Sequence, residues 1–136
     1  MQALFTLRGR VIHGQGKGAA AGMPTANLPE SPEAQDVKHG VYASIVTLRG
    51  QSYVGVTNLG LRPTVDSEAR VSVETYIVGF SGDIYGEEMT LELFVYLRPT
   101  RRMASLSLVK AQVEKDVQNA CRLLEGEAQR RNLLIK

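Results

Sequence analysis

Tryptophan is absent from the 136 residues, histidine occurs twice and cysteine once. The lone thiol, Cys121, excludes an internal disulfide and a cysteine-rich zinc site. His13 and His39 are too few for a typical structural metal site and read as surface or turn histidines. Long hydrophobic runs are also missing. No stretch approaches the roughly 20 apolar residues of a membrane span. The opening MQALFTLRGR has no long apolar segment leading to a small-residue cleavage site, so neither a membrane partner nor export is expected. With the single cysteine, this points to the cytoplasm. An excess of one charge is lacking too: 16 Lys and Arg stand against 14 Asp and Glu, for a net +2. Polyanion binding needs a clustered basic surface, and the nearest cluster here is Arg98, Arg101 and Arg102, read as solvated charge. Phe5, Tyr53, Tyr76, Phe94 and Tyr96 are not interleaved with basic residues, which argues against a barrel that binds single-stranded nucleic acid. No nucleic-acid partner is expected.

What is present fits one compact domain of 136 residues, mostly β. Strands are expected at 4–12, 41–48, 52–58, 71–80 and 89–97, with Arg49-Gly50 turning the second into the third. In the fourth, Val71, Val73, Thr75 and Ile77 share one face, and Ser72, Glu74, Tyr76 and Val78 the other. In the fifth, Met89, Leu91, Leu93, Val95 and Leu97 alternate with Thr90, Glu92, Phe94 and Tyr96. Short strands with glycine-rich turns predict a small antiparallel barrel or sandwich. The period then changes. Leu106, Val109, Val113, Val117, Ala120 and Leu124 recur at intervals of three and four, one stripe of an amphipathic helix over about 105–125. Ser105 or Ser107 is its candidate N-cap and Gly126 its candidate stop. A further helical turn is placed within 127–136, and the long helix is expected to pack on the barrel.

The segment GQGKGAAAGMPTANLPE, 14–30, is too poor in large side chains to be core. Gly14-x-Gly16-x-x-Ala19 matches a loose dinucleotide fingerprint, whose pyrophosphate must meet the N-terminus of a long helix. Gly22, Pro24, Pro29 and Pro32 forbid such a helix. The phosphate loop of common nucleotide hydrolases fails as well. Gly16-Lys17 is followed by Gly18 instead of Ser or Thr, and Val11 stands where the opening glycine belongs. What remains is a loop whose glycines let backbone N–H groups approach an anion, with Lys17 as one mobile charge. Thr25 and Asn27, at i and i+2 of an extended segment, would point the same way. Two neutral oxygens beside a polyphosphate suit Mg²⁺, which takes its other ligands from phosphates and water; turn hydrogen bonding is the plainer alternative. Glu74 sits mid-strand, where Glu is disfavoured. It is either a solvent-facing residue of a one-sided sheet or a general base aimed into a cleft.

These residues fall into an ordered set of motifs: Gly9-Arg10-Val11 with Gly14, Gly22-x-Pro24-Thr25-Ala26-Asn27-Leu28 and Gly40-Val41-Tyr42-Ala43. Gly55-Val56-Thr57-Asn58-x-Gly60-x-Arg62-Pro63-Thr64, Glu74-Thr75-Tyr76, Gly82-Asp83-x-Tyr85-Gly86, Leu97-Arg98 and Asp116 follow. The chain thereby resembles the riboflavin kinase (flavokinase) family over nearly its whole length, in the form of the C-terminal kinase module of bacterial bifunctional riboflavin kinase/FAD synthetases. The resemblance implies a six-stranded antiparallel Greek-key barrel with a C-terminal helix packed on it. It implies transfer of the ATP γ-phosphoryl group to the ribityl 5′-hydroxyl of riboflavin, giving FMN and ADP. Thr25 and Asn27 would bind Mg²⁺ and the nucleotide phosphates, and Glu74 would be the catalytic base. Gly14, Gly16, Lys17, Gly18, Gly22 and Pro24 would belong to a mobile flap and ledge over the nucleotide. The isoalloxazine would lie near the helix and the loop before it, at Arg98, Met103 and Leu106. The other reading is a flavin-binding or regulatory module of the same fold without turnover. The chain departs from the family at Ala19–Ala21, where the flap has only Lys17 as a basic residue, at Met23 in place of an aromatic, and at Met103 near a usual Phe. No adenylyltransferase module is recognisable, so the chain alone is not expected to make FAD, whether it is a natural single-domain enzyme or a domain excised from a fusion.

Overall fold

The computed structural model describes residues 1–12, 25–29, 34, 36–63 and 69–133, with 61–63 and 69–70 described by backbone alone. Six strands, β1 (Phe5–Arg10), β2 (Ala26–Leu28), β3 (Gly40–Leu48), β4 (Gln51–Pro63), β5 (Ala69–Ile77) and β6 (Glu88–Arg98), are followed by α1 (Leu106–Leu123) and α2 (Glu125–Arg130). They form one antiparallel sheet in the order β1-β6-β3-β4-β5-β2. Consecutive β3, β4 and β5 are joined hairpin-fashion, and β6 returns to lie beside β3, which is the Greek-key order. The sheet curls into a half-barrel. Its edge strands approach where Ile12, just beyond β1, bridges Asn27 of β2, with Ile12 N–H donating to Asn27 O at 2.8 Å.

Period-2 patterning builds the interior. Val71, Val73, Thr75 and Ile77 all point inward and are buried, as their alternation predicts. Val71, Val73 and Ile77 pack with Leu7, Val46, Leu48, Leu59, Met89, Leu91 and Leu93. The β3–β4 link is a two-residue turn in which Arg49 (φ 51°) and Gly50 (φ 75°) both adopt positive φ. That is the backbone of a turn whose twist matches the flanking strands, and glycine takes it without strain.

In β6 the expected alternation holds only to Leu93. The β3–β6 register shifts between Ala43 and Ser44 and again between Val41 and Tyr42. Two residues of β6 are left over at these bulges, and the faces exchange. Val95 and Leu97, expected with Met89, join the outer cluster, while Tyr96 packs against the inner one. The short strand β2 lies in a segment where only extended backbone was expected.

Helix α1 closes the outer face. Ser105 is its N-cap: its hydroxyl accepts from Leu108 N–H at 3.2 Å. Val117, Ala120, Cys121 and Leu124 pack on Val41, Ala43, Ile45, Val54, Val56 and Phe94. Leu106, assigned to the stripe from its spacing, is instead exposed, because the first turn of α1 extends past the sheet. Gly126 does not stop the helix. The break comes at Leu124, and Gly126 lies inside α2. α2 is tied down through Glu127, whose buried carboxylate accepts from Arg131 Nε at 2.9 Å and pairs with the Met1 ammonium and Arg130. Burial works to raise the pKa of Glu127, but these cationic partners outweigh it and hold the carboxyl below its ordinary range. Burial pushes the Cys121 thiol up, as expected of a small apolar packing residue.

Candidate active site

Strand register sets the site. Asn27 of β2, Glu74 of β5 and Asn58 of β4 are direct cross-strand partners, so their side chains share the outer face. The row continues through Val41 of β3 to Arg98 of β6. One residue before β2, the Thr25 hydroxyl donates to Glu74 Oε1 at 2.9 Å. Glu74 Oε2 has no partner among the described residues, and its carboxylate is half-buried. Asn27 is buried, and its amide nitrogen makes a long 3.5 Å contact to Thr25 O. Thr25, Asn27 and Glu74, singled out separately in the sequence, therefore lie together.

The inner side of the same register is polar in one place. Ser44, Thr57 and Thr75, all fully buried, join hydroxyl to hydroxyl at 2.9 and 2.8 Å across β3, β4 and β5. Gly55 makes room for them, since a Cβ there would come within 2.8 Å of Ser44 Oγ. Thr75 and Thr57 thus satisfy their polar groups in the core, while the adjacent Glu74 and Asn58 face outward.

A cleft of about 190 Å³ adjoins Thr25. Its walls include Ile12, Ile77, Phe80, Ile84 and Tyr85. Ile12 and Thr25 flank the glycine-rich segment, so the chain leaves and rejoins the described structure at this cleft. Gly14, Gly16, Lys17, Gly18, Gly22 and Pro24, as well as Met23 and Ala19–Ala21, lie outside the described residues. The far wall, 80–87, is braced by Arg49. Its guanidinium donates to Asp83 O at 3.1 Å and pairs with Glu87, whose carboxyl the Arg49 hydrogen bond holds below its usual range. Arg10 adds a bond to Gly86 O at 3.1 Å. The motif Gly82-Asp83-x-Tyr85-Gly86 thus forms part of the cleft wall, a place its sequence alone did not indicate.

A second cavity, about 370 Å³, lies between the loop after β6 and α1. Arg101, Arg102, Met103, Leu108, Gln112 and Lys115 line it. Of the three residues expected near a flavin, Met103 borders this cavity. Leu106 is exposed and is not among its walls. Arg98 is engaged elsewhere: Nε and Nη2 grip Asp116 of α1 at 3.0 and 2.7 Å, and Nη1 donates to Pro99 O.

The donor set suits a hard cation. Thr25 Oγ1, the Asn27 amide oxygen and the nearby Glu74 carboxylate are all oxygens. No group of three His, Cys, Asp or Glu residues occurs among the described residues. So sparse a set matches Mg²⁺ completed by phosphate and water better than a metal caged by protein.

A half-barrel with one α-helix on its outer face, in which Thr25 lines a cleft and hydrogen-bonds to Glu74 while Asn27 pairs with Glu74 across the strands, has clear relatives. The family model described as "Flavokinase: Riboflavin kinase" matches residues 1–124. A bifunctional riboflavin kinase/FMN adenylyltransferase from Pseudomonas fluorescens is 36% identical over 126 residues, covering 93% of this chain and 40% of the relative. Among solved structures, riboflavin kinase from Trypanosoma brucei superposes with a TM-score of 0.64 at 25% identity, over 88% of this chain and 79% of that one. A Streptococcus pneumoniae protein described as a macrolide-efflux protein gives 0.73 at 32% identity, over 83% of this chain and 37% of that one. The chain belongs to the riboflavin kinase (flavokinase) family. It spans two-fifths of the length of the Pseudomonas relative. No described helix is long and apolar enough to cross a membrane.

Proposed function

We propose that this chain transfers the γ-phosphoryl group of ATP to the ribityl 5′-hydroxyl of riboflavin, giving FMN and ADP. The observation that carries the reading is the Thr25–Glu74 hydrogen bond beside the cleft, in a chain of this family. Phosphoryl transfer asks a protein mainly for positioning and charge stabilisation, and a base for the attacking hydroxyl. Glu74 supplies that base. Oε1 is fixed by Thr25, and Oε2 is left to take the hydroxyl proton as the oxygen attacks phosphorus.

Thr25 and Asn27 would hold Mg²⁺, which supplies charge neutralisation on the nucleotide phosphates. The cleft walled by Phe80, Ile84 and Tyr85 offers an apolar, aromatic surface to a nucleobase. In this reading Gly14, Gly16, Lys17, Gly18, Gly22 and Pro24 cover the phosphates and exclude water. The flavin ring occupies the second cavity, against Met103 and Leu108, with Arg101 and Arg102 at its mouth. In this reading the enzyme acts in the cytoplasm. FAD formation belongs to a separate adenylyltransferase unit, as in the bifunctional relatives.

The test is incubation with riboflavin, ATP and Mg²⁺, followed by chromatography for FMN. FMN that depends on ATP and metal is the expected result. Riboflavin binding without FMN would replace the kinase with a flavin-binding module.

A further inference from the structure

Asn58 has no role in the chemistry above, yet it stands next to the base. Glu74 and Asn58 are direct cross-strand partners on the outer face, which places their Cβ atoms roughly 4.5–5.5 Å apart. The Thr100 hydroxyl donates to Asn58 Oδ1 at 2.7 Å. The Asn58 NH₂ group is left without a partner among the described residues, on a half-buried side chain. Thr100 opens the loop whose next residues, Arg101 to Ala104, line the second cavity. Asn58 therefore lies between the Glu74 carboxylate and the loop that leads to the cavity.

We infer that Asn58 binds the polyol chain of the substrate, its NH₂ group donating to a chain hydroxyl, and that Thr100 is a positioning residue that fixes the orientation of its amide. The inference rests on the kinase reading and deepens it. A substrate with a flat ring in the second cavity and its reacting hydroxyl at Glu74 must carry the intervening hydroxyls past β4, where Asn58 is the side chain abreast of the base. A neutral amide suits that place. It can donate to one hydroxyl and accept from another, and it adds no charge to a carboxylate that must take a proton.

The experiment uses the full chain and two flavins, riboflavin and lumiflavin, which lacks the ribityl chain, with binding followed by flavin fluorescence. Asn58→Ala is expected to weaken riboflavin about tenfold, the scale of one lost neutral hydrogen bond. Lumiflavin affinity and the KM for ATP should stay unchanged. Equal weakening of both flavins would overturn the inference and reduce Asn58 to a support for the loop. Should Asn58→Ala fail to fold, the exposed Thr100 decides. Thr100→Val should weaken riboflavin selectively and Thr100→Ser should restore it; no difference between those two would also overturn the inference. Absence of FMN from wild type would sink the kinase reading alone, since the two-flavin comparison reads the Asn58 contact without turnover.

Discussion

Arg98 and Asp116 join the last strand to the long helix by a two-pronged ion pair, with Nη2 2.7 Å from Oδ2 and Nε 3.0 Å from Oδ1. Asp116 is buried, and Gln112 Nε2 donates to it at 3.1 Å from one turn earlier in α1. The pair fixes the start of the loop that borders the second cavity. Removing one partner strands the other charge in a site with little water, a loss of about 3–5 kcal/mol. Asp116→Ala should therefore lower the urea midpoint strongly with an unchanged m-value. The double variant Arg98→Met with Asp116→Leu should recover much of that loss. Urea unfolding of the three chains tests this, and an Asp116→Ala midpoint equal to wild type would show that the pair contributes nothing.

The base assignment concerns rate and not stability. Glu74→Gln keeps the shape and the capacity to accept from Thr25, and removes the proton acceptor. The expected loss in kcat is on the order of 10²–10⁴, with thermal midpoint and riboflavin affinity near wild type. Turnover close to normal would remove Glu74 from the chemistry and leave the rest of the site in place.

Thr25→Ala and Thr25→Ser separate two duties of one hydroxyl. Alanine should raise the Mg²⁺ and ATP concentrations needed for half-maximal rate by about tenfold, the scale of one lost polar contact, with a small effect on riboflavin. Serine should restore both. A titration in which alanine weakens riboflavin as much as Mg²⁺·ATP would assign Thr25 a structural role.

Glu127 predicts a pH dependence. Its folded pKa is depressed, so its contribution to stability is present above the unfolded value of about 4.3 and is lost as pH falls through the folded pKa. Glu127→Gln should be less stable than wild type at neutral pH, and the two thermal midpoints should converge as the pH drops below about 4. A gap that stays constant from pH 7 to pH 3 would rule out the charged form as the source of the stabilisation.

Much of this was legible in the residues. The alternation in 71–77 gave the inward face of β5, and the three-and-four spacing gave α1, because both are dictated by burial on one side of a regular element. Thr25, Asn27 and Glu74, which the structure brings together, stood out by chemistry out of place: oxygen donors after a glycine-rich run, and a carboxylate mid-strand. The exchange of faces in β6 was not legible, since a bulge is set by how two strands fit and leaves no local mark in Phe94-Val95-Tyr96-Leu97. Leu106 misled for a related reason. Its spacing is right, but whether a helix's first turn lies over the sheet depends on where the preceding loop delivers it. The Arg98–Asp116 pair was not legible either, since the two residues are 18 positions apart on different elements.

The buried hydroxyls of Ser44, Thr57 and Thr75 act as an alignment key for the outer-face row of Glu74 and Asn58. Sliding β5 along β4 by two residues would keep every side chain on its proper face and would cost the apolar core little. It would part Thr75 from Thr57 and leave the Thr75 hydroxyl unpaired in the interior, at a cost of about 1–3 kcal/mol. The same slide would carry Glu74 away from Asn58. Buried hydroxyls in the interior thus penalise that slide, and in the observed register Glu74 and Asn58 stand side by side.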